Sequence, residues 1–480
     1  MWNVIKRRSL GGGRALEFLA AIAPLPVMLL TPLSLLVLTV APARAAIVGH
    51  STRAPSVDRA TSGPWASGAG PLDPLLLAPG RSAKTPPGTE PPPETPSESP
   101  EGEPEGEPPA LEPPPVEPPP VEPPPVEAPS IPSSPRLPKP RLLPYLRLAE
   151  QGVARAERTW LDSGRHWYDE RLDDHERYPL ATIWGIVPLF EALDALEIAA
   201  PSPAHRAAVE TFALGAERYF NPTLRPTPGF APYPDDYGQV RTWFDDNGWW
   251  GLAFMDAYRA TGIPKYEEFA DRAFRFIAAQ GWDDSGGGLW WNTSHPYKAG
   301  EALASGTLLG VLLYQHTRSS FYLSQVDEFL TWADAHFLTE LKLYDRTSSD
   351  DTPTPYIEGP LVEAHQLLCE MGQPQACTRA RQLASACWAR FGDRLTMGPQ
   401  FDTIYLHWML LYGSQTHESR WTRLAEEMAA QAKARALEHG LYLRGWDGTP
   451  ITEHEARPNM LQTDAATVEL FAWLASTHRR

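Results

Sequence analysis

The chain has 480 residues, of which 52 are proline, and its formal net charge is -17. Much of the negative charge lies in proline-rich repeats, and no basic face indicates a nucleic-acid partner. No Cys/His array has the spacing of a zinc site, and no glycine-rich loop is typical of phosphate binding. We therefore expect no metal and no cofactor.

Residues 1–45 have the pattern of an export signal. Basic residues at 6–8 precede an apolar run at 16–40, and the small residues of 43–45 offer a cleavage site. An uncleaved run of this length would anchor the chain in a membrane. The pattern predicts a secreted or cell-surface protein.

Residues 46–140 form a Pro/Glu-rich segment that contains three copies of Pro-Pro-Pro-Val-Glu at 113–127. Such a composition buries too little apolar surface to offset the entropy of ordering, and it favours an extended polyproline conformation. We expect a disordered linker that holds the following domain away from a surface. Recognition of the proline repeats by a partner remains an alternative.

Residues 141–480 have the composition of one globular domain, with recurring helical periodicity and no convincing strand alternation. Connections are long after odd-numbered helices and short after even-numbered ones, which places every long loop on one face. The fold class is therefore all-α, an (α/α)6 toroid. The twelve helices are predicted at 145–161, 182–197, 203–219, 243–261, 264–280, 299–317, 319–338, 356–372, 374–390, 400–416, 419–438 and 459–477.

Two adjacent acids, Asp245 and Asp246, begin the fourth predicted helix on the face of the long loops. Capping is the simplest explanation, since Asp favours helix starts. However, Trp249 and Trp250 follow Asp246 at i+3 and i+4, so this acid shares their stripe. An aromatic wall raises a carboxyl pKa and suits a catalytic acid, whereas Asp245, nearer the positive helix end, should stay ionised.

Other loops on this face carry candidate ligand-binding residues. Glycines allow close approach of backbone to a ligand, and tryptophan faces suit sugar rings, although turn formation and chance explain the same residues. The loop before the sixth helix contributes Asp284, Gly287, Gly288, Trp290, Trp291 and Asn292. Asp345, Tyr356 and Phe401 come from the loops and helix starts that follow.

The segments 243–249 (Trp-Phe-Asp-Asp-Asn-Gly-Trp) and 286–292 (Gly-Gly-Gly-Leu-Trp-Trp-Asn) resemble glycoside hydrolase family 76, the endo-α-1,6-mannanases. The resemblance extends to Trp184, 356–359, 401–405 and 461–466. It implies an (α/α)6 barrel that cleaves α-mannan with retention of configuration. Asp245 would be the nucleophile and Asp246 the acid/base, with Trp184, Trp249, Trp250 and the loop residues above binding substrate.

The sequence departs from the family pattern at Glu301, Glu358 and Asp402, where polar residues have become acidic. Two alternatives to a mannanase therefore remain. One is a non-catalytic carbohydrate-binding or wall-associated protein. The other is a different enzyme on the same scaffold, either an epimerase or a uronyl hydrolase. An epimerase would use histidines, and we interpret His365 and His407 as packed or exposed residues. In each case we expect a monomer, tethered through its N-terminal segment if at all.

Three cysteines allow one disulfide at most. Cys369 and Cys377 flank the tight turn between the eighth and ninth predicted helices, which favours a bond between them. Cys387 is then a buried thiol. Three unpaired cysteines are the alternative.

Overall fold

The computed structural model describes residues 143–173, 180–392, 395–451 and 459–477. The signal and linker expected at 1–45 and 46–140 lie outside these ranges. Within them the chain forms twelve α-helices: α1 Leu143–Trp160, α2 Ile183–Ala199, α3 Pro203–Ala216, α4 Phe244–Thr261, α5 Pro264–Phe276, α6 Gly300–Thr317, α7 Ser320–His336, α8 Pro355–Glu370, α9 Pro374–Phe391, α10 Pro399–Thr416, α11 Ser419–Gln431 and α12 Leu461–Thr477.

Three antiparallel hairpins of two-residue strands lie in the loops between helices. Such short strands show no alternation in the sequence, which is why they escaped prediction. Three helices predicted to continue end earlier, in a 3-10 turn at Glu217–Tyr219 and in π turns at Ile277–Gly281 and Ala432–Ala436. The first and third turns lead directly into hairpins. The strand pairs are β1 Leu161–Asp162 with β2 Trp167–Tyr168, β3 Phe220–Asn221 with β4 Gly229–Phe230, and β5 Leu437–Glu438 with β6 Leu441–Tyr442.

The even-numbered helices form a closed inner ring. Each packs on the next, from α2 through α4, α6, α8 and α10 to α12, and α12 returns to α2. The odd-numbered helices cover this ring from outside. The architecture is the (α/α)6 toroid that the loop lengths predict.

The two layers differ in their sequence patterns. The outer helix α5 buries a single stripe at positions i, i+3, i+4, i+7 and i+8, and its remaining faces meet solvent. The inner helix α4 is buried on nearly all sides. Glycines let the inner helices approach closely. A Cβ on Gly248 would lie only 2.1 Å from Ser305 Oγ of α6, so a larger residue could not be placed there without moving α4 or α6.

The inner helices all begin at the same end of the toroid, where the long loops meet. The backbone N–H of Phe244 donates to Trp291 O at 3.0 Å, and that of Gly300 donates to Arg346 O at 2.7 Å. These bonds join the loops that precede α4, α6 and α8. The loop face is therefore a connected rim and not six independent segments.

Cys369 and Cys377 form a disulfide across the α8–α9 turn, with their Cα atoms 4.6 Å apart. Cys387 is a free, buried thiol. Both predictions are confirmed. In the part of the chain that the structure describes, every helix is too short or too polar to cross a membrane.

Candidate active site

Asp245 and Asp246 lie in the first turn of α4 and do not cap it. The N-cap residue is Trp243, and no side-chain bond caps the helix. Only 4% of Asp245 and 9% of Asp246 is exposed. Asp245 Oδ1 has no hydrogen-bond partner among the described residues. Because Trp243 is the N-cap residue and an oxygen buried without a partner costs free energy, helix capping does not account for the placement of this pair.

Asn247 fixes the turn that carries the two acids. Its side-chain amide donates to Trp243 O at 2.8 Å and to Phe230 O at 3.1 Å, and its Oδ1 accepts from Phe230 N–H at 2.7 Å. The β3–β4 hairpin is thereby tied to the start of α4. The backbone under the acids is held on both sides, which is a requirement for positioned catalytic groups.

Glu301, in the first turn of α6, is the third acid of the site. Its Oε1 accepts from Tyr356 Oη at 2.8 Å and from Arg346 Nε at 3.1 Å. Its Oε2 is buried without a hydrogen-bond partner in the described ranges. The Glu301 charge acts on Asp245 across the α4–α6 contact. Sequence reasoning noticed Glu301 only as a departure from the family pattern.

Burial raises the pKa of both aspartates. It raises the pKa of Asp246 to about 7. The pKa of Asp245 is raised well above its usual range by burial first, and then by the charges of Asp246 and Glu301. The expectation that the helix start keeps Asp245 ionised is wrong, because loss of hydration outweighs the backbone N–H groups of Asp245 and Asp246. Near neutral pH the two groups titrate as a pair that retains a proton.

Aromatic side chains at the starts of the other inner helices join the acids on this face. The Phe401 ring lies 5.3 Å from Trp184 and 4.9 Å from Tyr356, measured between ring centroids. Trp184 and Trp249 line part of a cavity of about 20 Å³ inside the ring. The structure thus brings together Trp184, Tyr356 and Phe401, and it connects Tyr356 to the acids through Glu301.

Some predicted substrate contacts have other roles. Trp250 is fully buried and packs 5.4 Å from Phe230 and 4.8 Å from Tyr219, so the prediction that it binds substrate is wrong. It lies one position beyond Trp249 on the helix and turns toward the outer layer. A Cβ on Gly287 or Gly288 would strike the indole of Trp332 on α7. These glycines make room for a side chain of the fold.

The two tryptophans of the same loop are covered by neighbours. His295 stacks on Trp290 at 5.1 Å, and Lys298 Nζ lies 3.4 Å from the Trp290 ring centroid. Trp291 stacks on Tyr297 at 5.2 Å. Each ring therefore has one face stacked on a neighbour, and sugar binding by these two tryptophans stays a prediction.

The remaining predicted contacts, Asn292, Asp284 and Asp345, lie around the rim. Asn292 is buried, and its Oδ1 accepts from Ser294 N–H at 2.8 Å, which shapes the loop. Asp284 is exposed, and Asp345 is half-buried. Asp345 Oδ1 is buried without a hydrogen-bond partner inside the described segments.

Two of the three acids that depart from the family pattern accept hydrogen bonds from backbone N–H groups. Glu358 Oε1 accepts from Tyr344 N–H at 2.7 Å, and Asp402 Oδ2 accepts from Gly398 N–H at 3.2 Å. Burial raises the pKa of Asp402 to about 8, with no nucleophile beside it. Of the three, Glu301 alone acts on Asp245, so it is the departure that bears on chemistry.

Sequence reasoning missed Arg346 and Tyr297. Arg346 pairs with Glu301, and the charges of Glu301 and Asp245 raise the pKa of the Tyr297 phenol, after burial as the main cause. Both residues precede inner helices, as the candidates do. An Arg that follows one acid directly and precedes two others by four and five residues in a polar loop carries no distinguishing pattern.

Residues 228–359 match the family model described as Glycosyl hydrolase family 76. This stretch contains Asp245, Asp246, Glu301 and Tyr356. The comparison with curated proteins gives no match.

Solved structures of similar fold cover about two thirds of the chain. A family 76 mannosidase from Bacteroides thetaiotaomicron superposes with a TM-score of 0.62 at 19% identity, over 70% of this chain and 99% of that one. An inactive variant of an α-1,6-mannanase from Salegentibacter gives 0.57 at 15% identity, over 69% and 99%. Dfg5 from Chaetomium thermophilum, solved with glucosamine, gives 0.55 at 15% identity, over 70% and 90%. At these identities the likeness establishes the fold.

Proposed function

We propose that this chain, whose residues 228–359 match the model of glycosyl hydrolase family 76, is a member of that family and an exported retaining glycosidase that cleaves α-mannosidic linkages, with α-1,6-mannan as its substrate. One observation carries the proposal. Two consecutive acids are buried in the first turn of an inner helix, without capping it, on the face where the long loops meet. A fold gains nothing from such a pair, whereas a double displacement requires two carboxyl groups beside one sugar.

The reaction divides the roles between the two aspartates, as the family resemblance implies. Asp246 donates a proton to the glycosidic oxygen while a carboxylate oxygen of Asp245 bonds to the anomeric carbon, and the leaving sugar departs. Asp246 then takes a proton from water, whose oxygen bonds to the anomeric carbon and releases Asp245. Near neutrality the pair retains a proton, and the reaction requires this proton to lie on Asp246 and the charge on Asp245.

The relatives support mannan as the substrate. The Salegentibacter protein is an α-1,6-mannanase, and its variant with two consecutive aspartates replaced is described as inactive, in complex with α-1,6-mannotetrose. In this chain the partly buried rings of Trp184 and Phe401 adjoin Tyr356, whose phenol binds the same Glu301 that acts on Asp245. Sugar rings present C–H groups to such surfaces.

Glu301 favours a second candidate, a glycan that contains an amino sugar. Its Oε2 is buried without a hydrogen-bond partner in the residues described, beside Asp245. A carboxylate in this state binds an ammonium group through a charge-assisted bond. The Dfg5 structure contains glucosamine. Arg346 already pairs with Glu301, which is why we place this candidate second.

The histidine-based alternative gains no support from the site. His407 lies midway along α10 with 1% of its surface exposed, and His365 is buried on α8. Burial lowers the pKa of His365 to about 4. Neither residue belongs to the first turns that form the loop face.

The test is release of reducing ends from α-1,6-mannan by the purified full chain, repeated with Asp245→Asn and Asp246→Asn. We expect release by the wild type and loss of it in both variants. Binding without release would favour a non-catalytic carbohydrate-binding protein, and release only from a glucosamine-containing mannan would favour the second candidate. Cell fractionation and size-exclusion chromatography would test export, tethering and the expected monomer.

A further inference from the structure

A second group of buried polar side chains lies in the middle of the inner ring, away from the loop face. Glu191 of α2, His407 of α10 and Glu469 of α12 each offer one ligand atom, and these atoms all lie within 4.8 Å of one another. His407 Nδ1 is 3.2 Å from Glu191 Oε2. The three side chains are 9% exposed or less. Two carboxylates this close in an apolar interior must share a proton or a cation.

We propose that Glu191, His407 and Glu469 bind one divalent transition-metal ion, with Zn²⁺ as the best fit to these ligands. Glu469 Oε1 is buried and has no hydrogen-bond partner within the described residues, so it has an unused lone pair at the cluster. One imidazole nitrogen with two carboxylates suits zinc, whereas Ca²⁺ and Mg²⁺ prefer more oxygen ligands.

The geometry needs only a small contraction to close on an ion. Zinc lies about 2.0 to 2.2 Å from nitrogen and oxygen ligands, which places the ligand atoms of a tetrahedral site roughly 3.3 Å apart. The His407–Glu191 pair is at 3.2 Å, and the widest pair is within 4.8 Å. Rotation of a glutamate side chain covers such a difference.

The surroundings of His407 are partly those of a metal-bound histidine, with a carboxylate behind the ring but beyond hydrogen-bond distance. Its second nitrogen, Nε2, lies 3.8 Å from Asp256 Oδ2, and Asp256 is paired with Arg259 at 2.5 Å. Trp408 and Trp473 stack on the ring, with centroids 4.0 and 3.6 Å away. A carboxylate behind the imidazole orients metal-binding histidines and raises their basicity.

A small cavity lies beside the two glutamates. It has a volume of about 20 Å³, and its lining includes Glu191, Glu469, Trp184 and Trp249. This volume holds about one water molecule, which would complete a four-coordinate site. Seven residues separate Trp184 from Glu191, or about 10 Å along a helix. The ion would therefore fasten α2, α10 and α12 together without touching the reacting sugar.

Sequence reasoning expected no metal because the three ligands are separated by more than 200 and 60 positions and form no local pattern. The inference is independent of the proposed glycosidase activity. Its test uses metal content and stability, which an inactive enzyme would show equally well.

The experiment is equilibrium dialysis of chelator-stripped full-length protein against Zn²⁺, with metal measured by mass spectrometry. We expect one equivalent per chain in the wild type and at least about a tenfold weaker affinity in Glu469→Gln, which keeps the side-chain shape. Asp194→Asn is the matched control. Asp194 is a fully buried acid of α2 whose oxygens lack hydrogen bonds in the described structure, and it is not one of the three ligands.

Zn²⁺ should raise the melting temperature of the wild type and of Asp194→Asn, and not that of Glu469→Gln. If a variant fails to fold, the visible absorption spectrum of the wild type with added Co²⁺ tests the site instead. A four- or five-coordinate spectrum supports the site, and a spectrum like that of aqueous Co²⁺ contradicts it. The absence of stoichiometric Zn²⁺, or equal binding by Glu469→Gln, would overturn the proposal. A Glu469→Gln protein that is more stable than the wild type and indifferent to Zn²⁺ would identify a shared proton instead.

Discussion

The loop end of the inner ring contains two kinds of buried acid. Glu358, Asp402 and Asp464 each accept a backbone N–H, from Tyr344, Gly398 and Tyr442. Asp245 and Asp246 lie in an equivalent first turn, yet Asp245 Oδ1 has no partner among the described residues.

Burial raises the pKa in all five cases, so a raised pKa does not separate the two kinds. What separates them is the hydrogen-bond partner. The three acids that hold loops accept an N–H from a residue outside their own helix, whereas Asp245 meets only the N–H groups of its own helix turn; in each of these four acids one buried oxygen has no partner among the described residues.

The largest effect should follow from neutralising Asp245 or Asp246. Asp245→Asn and Asp246→Asn should each lower kcat on α-1,6-mannan by about a thousandfold or more, because nucleophile and acid act as a unit. Neither variant should be less stable at neutral pH. Activity within tenfold of wild type in both would remove the mechanism.

The stability of these variants follows from the sign of the pKa shift. The folded pKa of Asp246 is about 7, above the unfolded value near 3.8, so the contribution of this group to wild-type stability is greatest below pH 4 and is lost as the pH rises toward 7. Asparagine cannot ionise and removes this loss. Thermal melts of Asp246→Asn should therefore diverge upward from wild type between pH 4 and 7 and coincide below it.

The next effect concerns how closely α4 and α6 pack beneath the acids. Gly248→Ala would place a Cβ 2.1 Å from Ser305 Oγ. Such overpacking costs about 1–3 kcal/mol and shifts the helix that carries both aspartates. We expect a lower melting temperature and a kcat reduced by about ten- to a hundredfold. Adding Ser305→Gly, which removes the obstructing side chain, should restore part of the melting temperature and part of kcat. If neither recovers, the clash with Ser305 is not the cause of the losses.

Substitution of an acid that holds a loop should give the opposite pattern, a loss of stability without a loss of activity. Glu358→Leu leaves the buried Tyr344 N–H without its acceptor, which costs about 1–3 kcal/mol. Chemical denaturation should show this loss, while kcat per folded molecule stays within about threefold of wild type. Loss of kcat without loss of stability would place Glu358 in the catalytic machinery and erase the distinction between the two kinds of acid.

The sequence predicts the toroid well because helical periodicity and alternating loop lengths are local patterns. The Asp245–Asp246 pair, its helix start and the Cys369–Cys377 bond were equally accessible. Side-chain direction was not, since Trp249 and Trp250 are adjacent in sequence and only packing turns Trp250 outward. The error over the Asp245 pKa has the same origin. Glu301 lies 56 residues away, and its proximity depends on how α6 packs against α4.

The smallest effect tests the charge of Glu301 on the pair. Glu301→Gln removes a negative charge that raises the pKa of Asp245, so the variant should ionise its nucleophile at lower pH. The acid limb of the kcat/KM profile on mannan should move down by about one pH unit, which corresponds to about 1.4 kcal/mol. Asp402→Asn is the control, because its carboxyl binds the backbone of Gly398 and does not act on Asp245. An acid limb that stays in place in Glu301→Gln, or moves equally in both variants, would show that burial alone sets the pKa of the pair.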